Sequence, residues 1–323
     1  MVKKFTAVFF FLFSLLILAV QAQPPFYDGR IDADAVMQVY CLSSPEGDKL
    51  FITVKNYQEK TEKIRQTAWN GQEIETVWES GNFFEERSVL LLNGGCLRGP
   101  QNELVLVSNT RIYIIDPLSH EITYESRHDW HPGELAVGDV DGDNLAEIVF
   151  SKIEKTGLKY NTEGIRIYGW DGRGFAHKGS IETVGNIRAL ACLDLNRDGA
   201  GEILAEEGHL DYIGKVLVFR RKGKVWAGGH EQKIAKNAIW HMVGRSGPSP
   251  ALYYISGRDV KKAEWNGVSF VFKGTCLATG SSLVVFDLAA MDADGGQEVV
   301  AAGYPNRIFM GKIGESHSVA SDE

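Results

Sequence analysis

The chain has 323 residues, a net charge of −8 and a hydrophobic fraction of 44%. That supplies enough apolar material for a packed core and repels phosphate backbones, so nucleic acid is not an expected partner. Its four cysteines show no CxxC and no Cys/His spacing of zinc type.

Residues 1–22 read as a signal peptide. Lys3 and Lys4 precede an apolar run from Phe5 to Val20, and small Ala22 marks a cleavage point. The run is short for a transmembrane helix, an uncleaved anchor being the alternative, and no Cys follows it for lipid attachment. Residues 23–323 are expected to form one domain, secreted or otherwise extracytoplasmic, with no membrane insertion after cleavage. An exported chain with an even cysteine count invites a disulfide reading. Cys41 in "AVMQVYCL" and Cys192 in "IRALACLDL" sit in apolar runs instead, and the reading favours buried free thiols acting as small hydrophobes.

Past the leader the chain reads as short strands. "PPFYDGR" and "DAVMQVYCL" come first, and apolar strand starts recur near Lys49, Glu103, Glu147, Glu202, Ala251 and Glu298, a period of roughly 44 to 55 residues that suits a propeller blade. A second marker keeps step: Trp69-Asn70-Gly71, Trp170-Asp171-Gly172 and Trp265-Asn266-Gly267 are read as type I′ hairpin turns between the second and third strands of a unit. Each tryptophan is expected to pack at its hairpin end. "ESRHDWHPG" places His128 and His131 close together around Asp129, but Pro132 and Gly133 make this a loop of unspecified geometry.

Directly after it, "GDVDGDNLAEIVF" aligns Asp139, Asp141, Asp143 and Glu147 ahead of an apolar strand. Alternate carboxylates with a carbonyl near the seventh position, here Leu145, suit a hard cation. An EF-hand is ruled out, because Asn144 stands at position 6, Phe150 at position 12, and a strand replaces the exit helix. The phrase recurs in "LDLNRDGAGEILA", with Asp194, Asn196, Asp198, Ala200 and Glu202, and in "AAMDADGGQEVVA", with Asp292, Asp294, Gly296 and Glu298 but Ala290 in place of the first carboxylate. Whether the third loop recruits Asp287 or a water is left open by the sequence. Asn144, Gly199 and Gly295 share the slot where a left-handed backbone is expected. "LNGGCLRGPQNELVLV" and "MVGRSGPSPALYYI" keep turn and strand without a carboxylate set.

These loops resemble the calcium loop of FG-GAP and VCBS-type repeats, Asp-x-Asp/Asn-x-Asp-Gly-x-x-Asp/Glu leading into a strand. The likeness is specific in the first two loops, partial in the third and architectural elsewhere. Position 9 is Glu where the family usually has Asp, and the integrin words Phe-Gly and Gly-Ala-Pro are absent, so the exported bacterial branch is the nearer likeness. The resemblance implies Ca²⁺ at the first two loops, a third and weaker site at the last, and an all-β propeller. We expect six four-stranded blades, seven being the alternative count, with calcium loops preceding blades three, four and six. Because "EVVAAG" and "RIFMGKIG" leave the last unit two strands short, both N-terminal strands are expected to complete it and close the ring. The function expected is a non-catalytic binding or scaffold module for a glycan or an extracellular protein. The alternative is a propeller enzyme of sugar-lyase or dehydratase type, using a central funnel with His128, His131, Tyr253 or Tyr254.

Overall fold

A computed structural model describes residues 25–43, 48–84, 90–128, 130–156, 159–183, 185–208, 214–223, 225–291 and 296–313. The leader, Asp129, Asp292 and Asp294 lie outside them.

Six four-stranded antiparallel sheets are arranged as blades of a β-propeller. After the N-terminal strand β1 (Tyr27–Arg30), blade one comprises β2 (Ala35–Leu42), β3 (Lys49–Asn56), β4 (Thr61–Trp69) and β5 (Ile74–Glu79). Blade two is β6 (Leu91–Gly95), β7 (Glu103–Val107), β8 (Arg111–Ile115) and β9 (Ile122–Arg127). Blade three is β10 (Pro132–Gly138), β11 (Glu147–Thr156), β12 (Lys159–Trp170) and β13 (Phe175–Ile181). Blade four is β14 (Asn186–Leu193), β15 (Glu202–Gly208), β16 (Gly214–Lys222) and β17 (Val225–Ala235). Blade five is β18 (Ile239–Arg245), β19 (Ala251–Ser256), β20 (Asp259–Trp265) and β21 (Phe270–Ala278). Blade six joins β22 (Leu283–Ala289), β23 (Glu298–Gly303) and β24 (Arg307–Lys312) to the N-terminal β1 (Tyr27–Arg30).

The blade number agrees with the sequence reading, but the phase moves by one strand. Lys49, Glu103, Glu147, Glu202, Ala251 and Glu298 open the second strand of each blade, not the first. The second strand is covered on both faces by neighbouring blades and reads as a continuous apolar run: every residue of β19 and β23 is buried. The first strand faces the central channel and admits glycine and polar residues, as in β6 "LLNGG" and β10 "PGELAVG", so its signal is weaker. The acidic loops therefore lie inside blades three, four and six, joining first to second strand, rather than ahead of those blades. For the same reason "DAVMQVYCL" is the inner strand of blade one, and "PPFYDGR" alone completes blade six, whose inner strand is "LVVFDLA".

The Trp-Asx-Gly markers correspondingly sit between third and fourth strands. They are four-residue turns rather than two-residue type I′ turns, since strand pairing stops at Trp69↔Ile74, Trp170↔Phe175 and Trp265↔Phe270. In each turn the Asx side chain accepts the backbone N–H groups two and three residues on; Asn70, Asp171 and Asn266 do so at 2.9 Å. The glycine then takes a positive φ of 97°, 94° or 96°. The tryptophans pack at the blade ends: Trp170 meets Phe175 and Tyr124 edge-on, Trp265 meets Phe270, and Trp69 meets Tyr27.

Buried apolar side chains form six clusters, each spanning two adjacent blades, including blades one and six. The four cysteines are free, and Cys41 is buried in the cluster that seals the ring. β1 pairs with β24 from Tyr27↔Met310 to Arg30↔Arg307. Asn306 Nδ2 donates to the carbonyls of Ile31 at 3.1 Å and Ala33 at 2.9 Å, and Arg307 pairs with Asp28. Asn306→Ala removes both clasp bonds and is expected to lower the unfolding free energy by about 1–2 kcal/mol in urea titration.

Candidate metal centre

An antiparallel meander returns first-to-second and third-to-fourth connections to the same end of a blade. The acidic loops and the Trp-Asx-Gly turns thus share one face of the ring. In blade three the chain leaves β10 at Gly138 and curls so that Asp139 caps it: Oδ1 accepts the N–H of Gly142 at 2.6 Å and Oδ2 that of Asn144 at 2.8 Å. Asn144 is left-handed, φ 68°, as its shared slot with Gly199 (φ 92°) requires. Glu147, 1% exposed, reaches back to accept the N–H of Val140 at 3.0 Å.

Carboxylate oxygens of Asp139, Asp141 and Glu147 lie within 4.8 Å of one another. Asp143 stands outside this triad; its Oδ1 accepts the N–H of Leu145 at 2.9 Å and its Oδ2 lies 3.5 Å from Lys178 Nζ. Two cations sit beside the cluster. Lys178 on β13 approaches Asp141 Oδ2 at 3.2 Å, and Arg221 on β16, in the next blade, approaches it at 3.4 Å. Asp141 Oδ1 is nevertheless buried without a hydrogen-bond partner. Burial, with the charges of Asp141 and Asp143 adding to it, pushes the Glu147 carboxyl up to about 8, the behaviour of an anion lacking its counter-charge.

The second loop repeats the frame. Asp194 accepts the N–H groups of Arg197 at 2.6 Å and Gly199 at 3.1 Å, while Glu202 accepts that of Leu195 at 2.8 Å. Protein cations and amides fill more of it: Arg220 Nε lies 2.9 Å from Glu202 Oε1, and Asn196 Nδ2 donates to Asp198 at 2.9 Å and to Glu202 at 3.1 Å. Asp198 Oδ1 accepts the N–H of Ala200 at 2.9 Å. In the third loop Met291 N–H donates to Glu298 at 2.8 Å, the same bond again. Asp287, in β22, accepts the N–H groups of Cys41 at 2.7 Å and Leu288 at 2.8 Å, and not that of Ala290. Asp48 from blade one instead accepts the N–H of Ala290 at 2.6 Å; Gly296 lines the cavity that Asp48 also borders.

The degenerate loop of blade two keeps the strand-opening glutamate and answers it with a side chain. Arg98 donates Nε to Glu103 at 2.9 Å, and its N–H bonds Glu103 at 3.2 Å. Sequence reasoning missed Arg98, Lys178 and Arg221 as counter-charges. The first was within reach, five residues before an aligned Glu; the others come from distant strands.

The histidine loop joins blade two to blade three on the opposite face. His128 packs edge-on against buried Trp130. Tyr253 and Tyr254 are core residues of β19, and Tyr254 Oη donates to the Ile234 carbonyl at 3.1 Å. The central channel, about 220 Å³ at its middle, is lined instead by inner-strand residues including Tyr40, Asn93, Cys192, His241 and Asp287. Burial lowers His241 to about 4 and raises Asp287 to about 7.

No protein-family model matches the chain, and no curated protein does. Among solved structures, 583 chains match its shape. One is the crystal structure of BBS1N in complex with ARL6DN, soaked with mercury, with a TM-score of 0.54 and 9% identity, covering 91% of this chain and 97% of that one. At that identity the likeness shows the propeller fold.

Asp287 gives the fold a pH signature. Its carboxyl is near 7 when folded and about 3.9 when unfolded, so between those values the native state holds the extra proton. Stability from this group is therefore full below about pH 4 and declines as pH rises to about 7, by at most ~1.4 kcal/mol per pH unit. Asp287→Asn is expected to remove that part of the slope when urea unfolding is compared across this range; parallel curves for the two proteins would contradict it.

Proposed function

We propose that the chain is an exported, calcium-stabilised propeller of the FG-GAP/VCBS kind that acts as a binding or scaffold module for a protein or glycan. The observation that carries the metal assignment is the blade-three loop. Three acidic side chains converge there, and the buried Asp141 Oδ1 lacks a partner although two cations neighbour the other oxygen of the same carboxylate. A divalent ion with oxygen preference would satisfy that atom and offset the burial and neighbouring carboxylate charges that raise Glu147. Asp139, Asp141, Glu147 and the Leu145 carbonyl would hold it; the blade-four set, Asp194, Asn196, Asp198, Ala200 and Glu202, would bind more weakly against Arg220. Because the unfolded chain has no such site, binding energy becomes folding energy.

The binding role rests on the ring itself and on the solved propeller with the same fold, BBS1N, which was crystallised in complex with ARL6DN. The export half rests on the leader sequence at residues 1–22. The enzyme alternative has less support. The residues offered for it, His128, His131, Tyr253 and Tyr254, do not line the channel.

Thermal and urea unfolding of the mature chain with added calcium tests the metal assignment. Stability is expected to rise, by about 2.7 kcal/mol at a hundredfold excess over the dissociation constant. Asp141→Ala is expected to remove most of the rise and Asp194→Ala a smaller part. Unfolding curves indifferent to calcium would overturn it.

A further inference from the structure

The face opposite the acidic loops, where the inner strands begin, carries a second and differently built feature. Five of the six inner strands have an irregular register at their first turn of pairing with the second strand. The breaks fall between Val36 and Gln38, Pro132 and Leu135, Ile187 and Ala189, Ile239 and Met242, and Leu283 and Val285. The residues left out of the ladder are Met37, Glu134 with Gly133, Arg188, Trp240 with His241, and Val284. A bulge frees a residue from pairing and re-aims its side chain.

These freed residues, with Leu91 from the unbulged strand of blade two, ring a single cavity of about 460 Å³ at the channel mouth. Five blades thus depart from regular pairing at the same height, each delivering a residue to the same opening. The rim is apolar and open: Trp240 is 48% exposed and Val284 40% exposed. Inside it one acidic side chain stands without a pairing partner among the described residues. Arg188 is matched by Glu206, whose Oε2 lies 3.2 Å from its Nε, and the Arg188 guanidinium lies 5.6 Å from the Trp240 ring. His241 is held neutral by burial. Glu134 has its N–H neighbourhood satisfied, its backbone donating to Ser151 Oγ at 2.9 Å, yet no described residue pairs with its carboxyl group. Burial alone holds that carboxyl well above the usual carboxylate range.

We propose that this mouth is a binding site for a single alkyl cation, a guanidinium or ammonium on an apolar stem, with Glu134 taking the charge and Trp240, Val284, Met37 and Leu91 enclosing the stem. An acid in an apolar collar is the complement of an Arg or Lys side chain, because the stem satisfies the rim while the cationic head draws Glu134 into its ionised form, its proton passing to water, and pairs with it. The free amine and the same group borne on a partner polypeptide share this chemistry. The inference gives the binding-module reading a site and a ligand class, and is independent of calcium.

Ligand-observed NMR on the mature chain tests it, with butylguanidinium, its uncharged isostere butylurea, and a blocked Gly-Arg-Gly peptide as probes. Butylguanidinium is expected to bind at least tenfold more tightly than butylurea, and a still tighter peptide would identify a chain-borne cation. Glu134→Gln is expected to lose at least tenfold of that affinity. Val284→Lys, a change at an exposed position, is expected to abolish binding by tethering a cation at the mouth. Unaltered thermal unfolding certifies that both variants fold. Equal binding of butylurea, absence of butylguanidinium binding, or full binding by both folded variants overturns the proposal. If that happens while calcium still stabilises the chain, the metal assignment stands and only the site fails; loss of the calcium response with guanidinium binding intact leaves the site standing alone.

Discussion

Everything in this molecule hangs on one repeated contact, the face of one four-stranded sheet laid against the next. Each of the six apolar clusters belongs to two blades, so no blade has a core of its own. A fully buried side chain such as Phe51, Phe150 or Phe286 contributes roughly 1.5–3 kcal/mol by leaving water, and does so only when the neighbouring blade is in place. Closure follows from this. An open row would leave one apolar face bare at each end, and β1 completing blade six removes that exposure together with the unpaired edge of β24.

The same packing explains where charge is tolerated. The strand-opening glutamates of blades two, three, four and six sit at the margin of the interblade core and must be answered there. Blade two answers with Arg98, blade four with Arg220, and blade three leaves Asp141 and Glu147 under-compensated despite Lys178 and Arg221. One backbone frame, in which the glutamate accepts the N–H seven residues earlier, thus carries different counter-charges in different blades.

Much of this was legible in the sequence. The Asp-rich phrases and the Trp-Asx-Gly turns are local, and each is explained by hydrogen bonds within a few residues, so their period yielded the blade count. The phase was not legible, because the most apolar strand in a blade is its second rather than its innermost. The bulges were hidden for a related reason: a register break shifts alternation by one residue, and in short inner strands such as "NIRALACL" that shift resembles ordinary irregularity. Lys178 and Arg221 reach Asp141 from β13 and β16, and Asp48 reaches Ala290 across the ring closure. Contacts between segments so far apart leave no mark in local spacing.

The clasp also fixes how the ring responds to load. β1 runs antiparallel to β24, and its first pair, Tyr27↔Met310, joins the residues nearest the two ends of the described chain. Tension applied through those ends would act on that pair first, then on Asp28↔Phe309 and Gly29↔Ile308, one at a time. This is an unzipping geometry, in which the bonds between first and last strand break in turn rather than sharing the load. The same antiparallel pairing sets Tyr27 and Met310 side by side, so the chain enters and leaves the ring at neighbouring points of one blade.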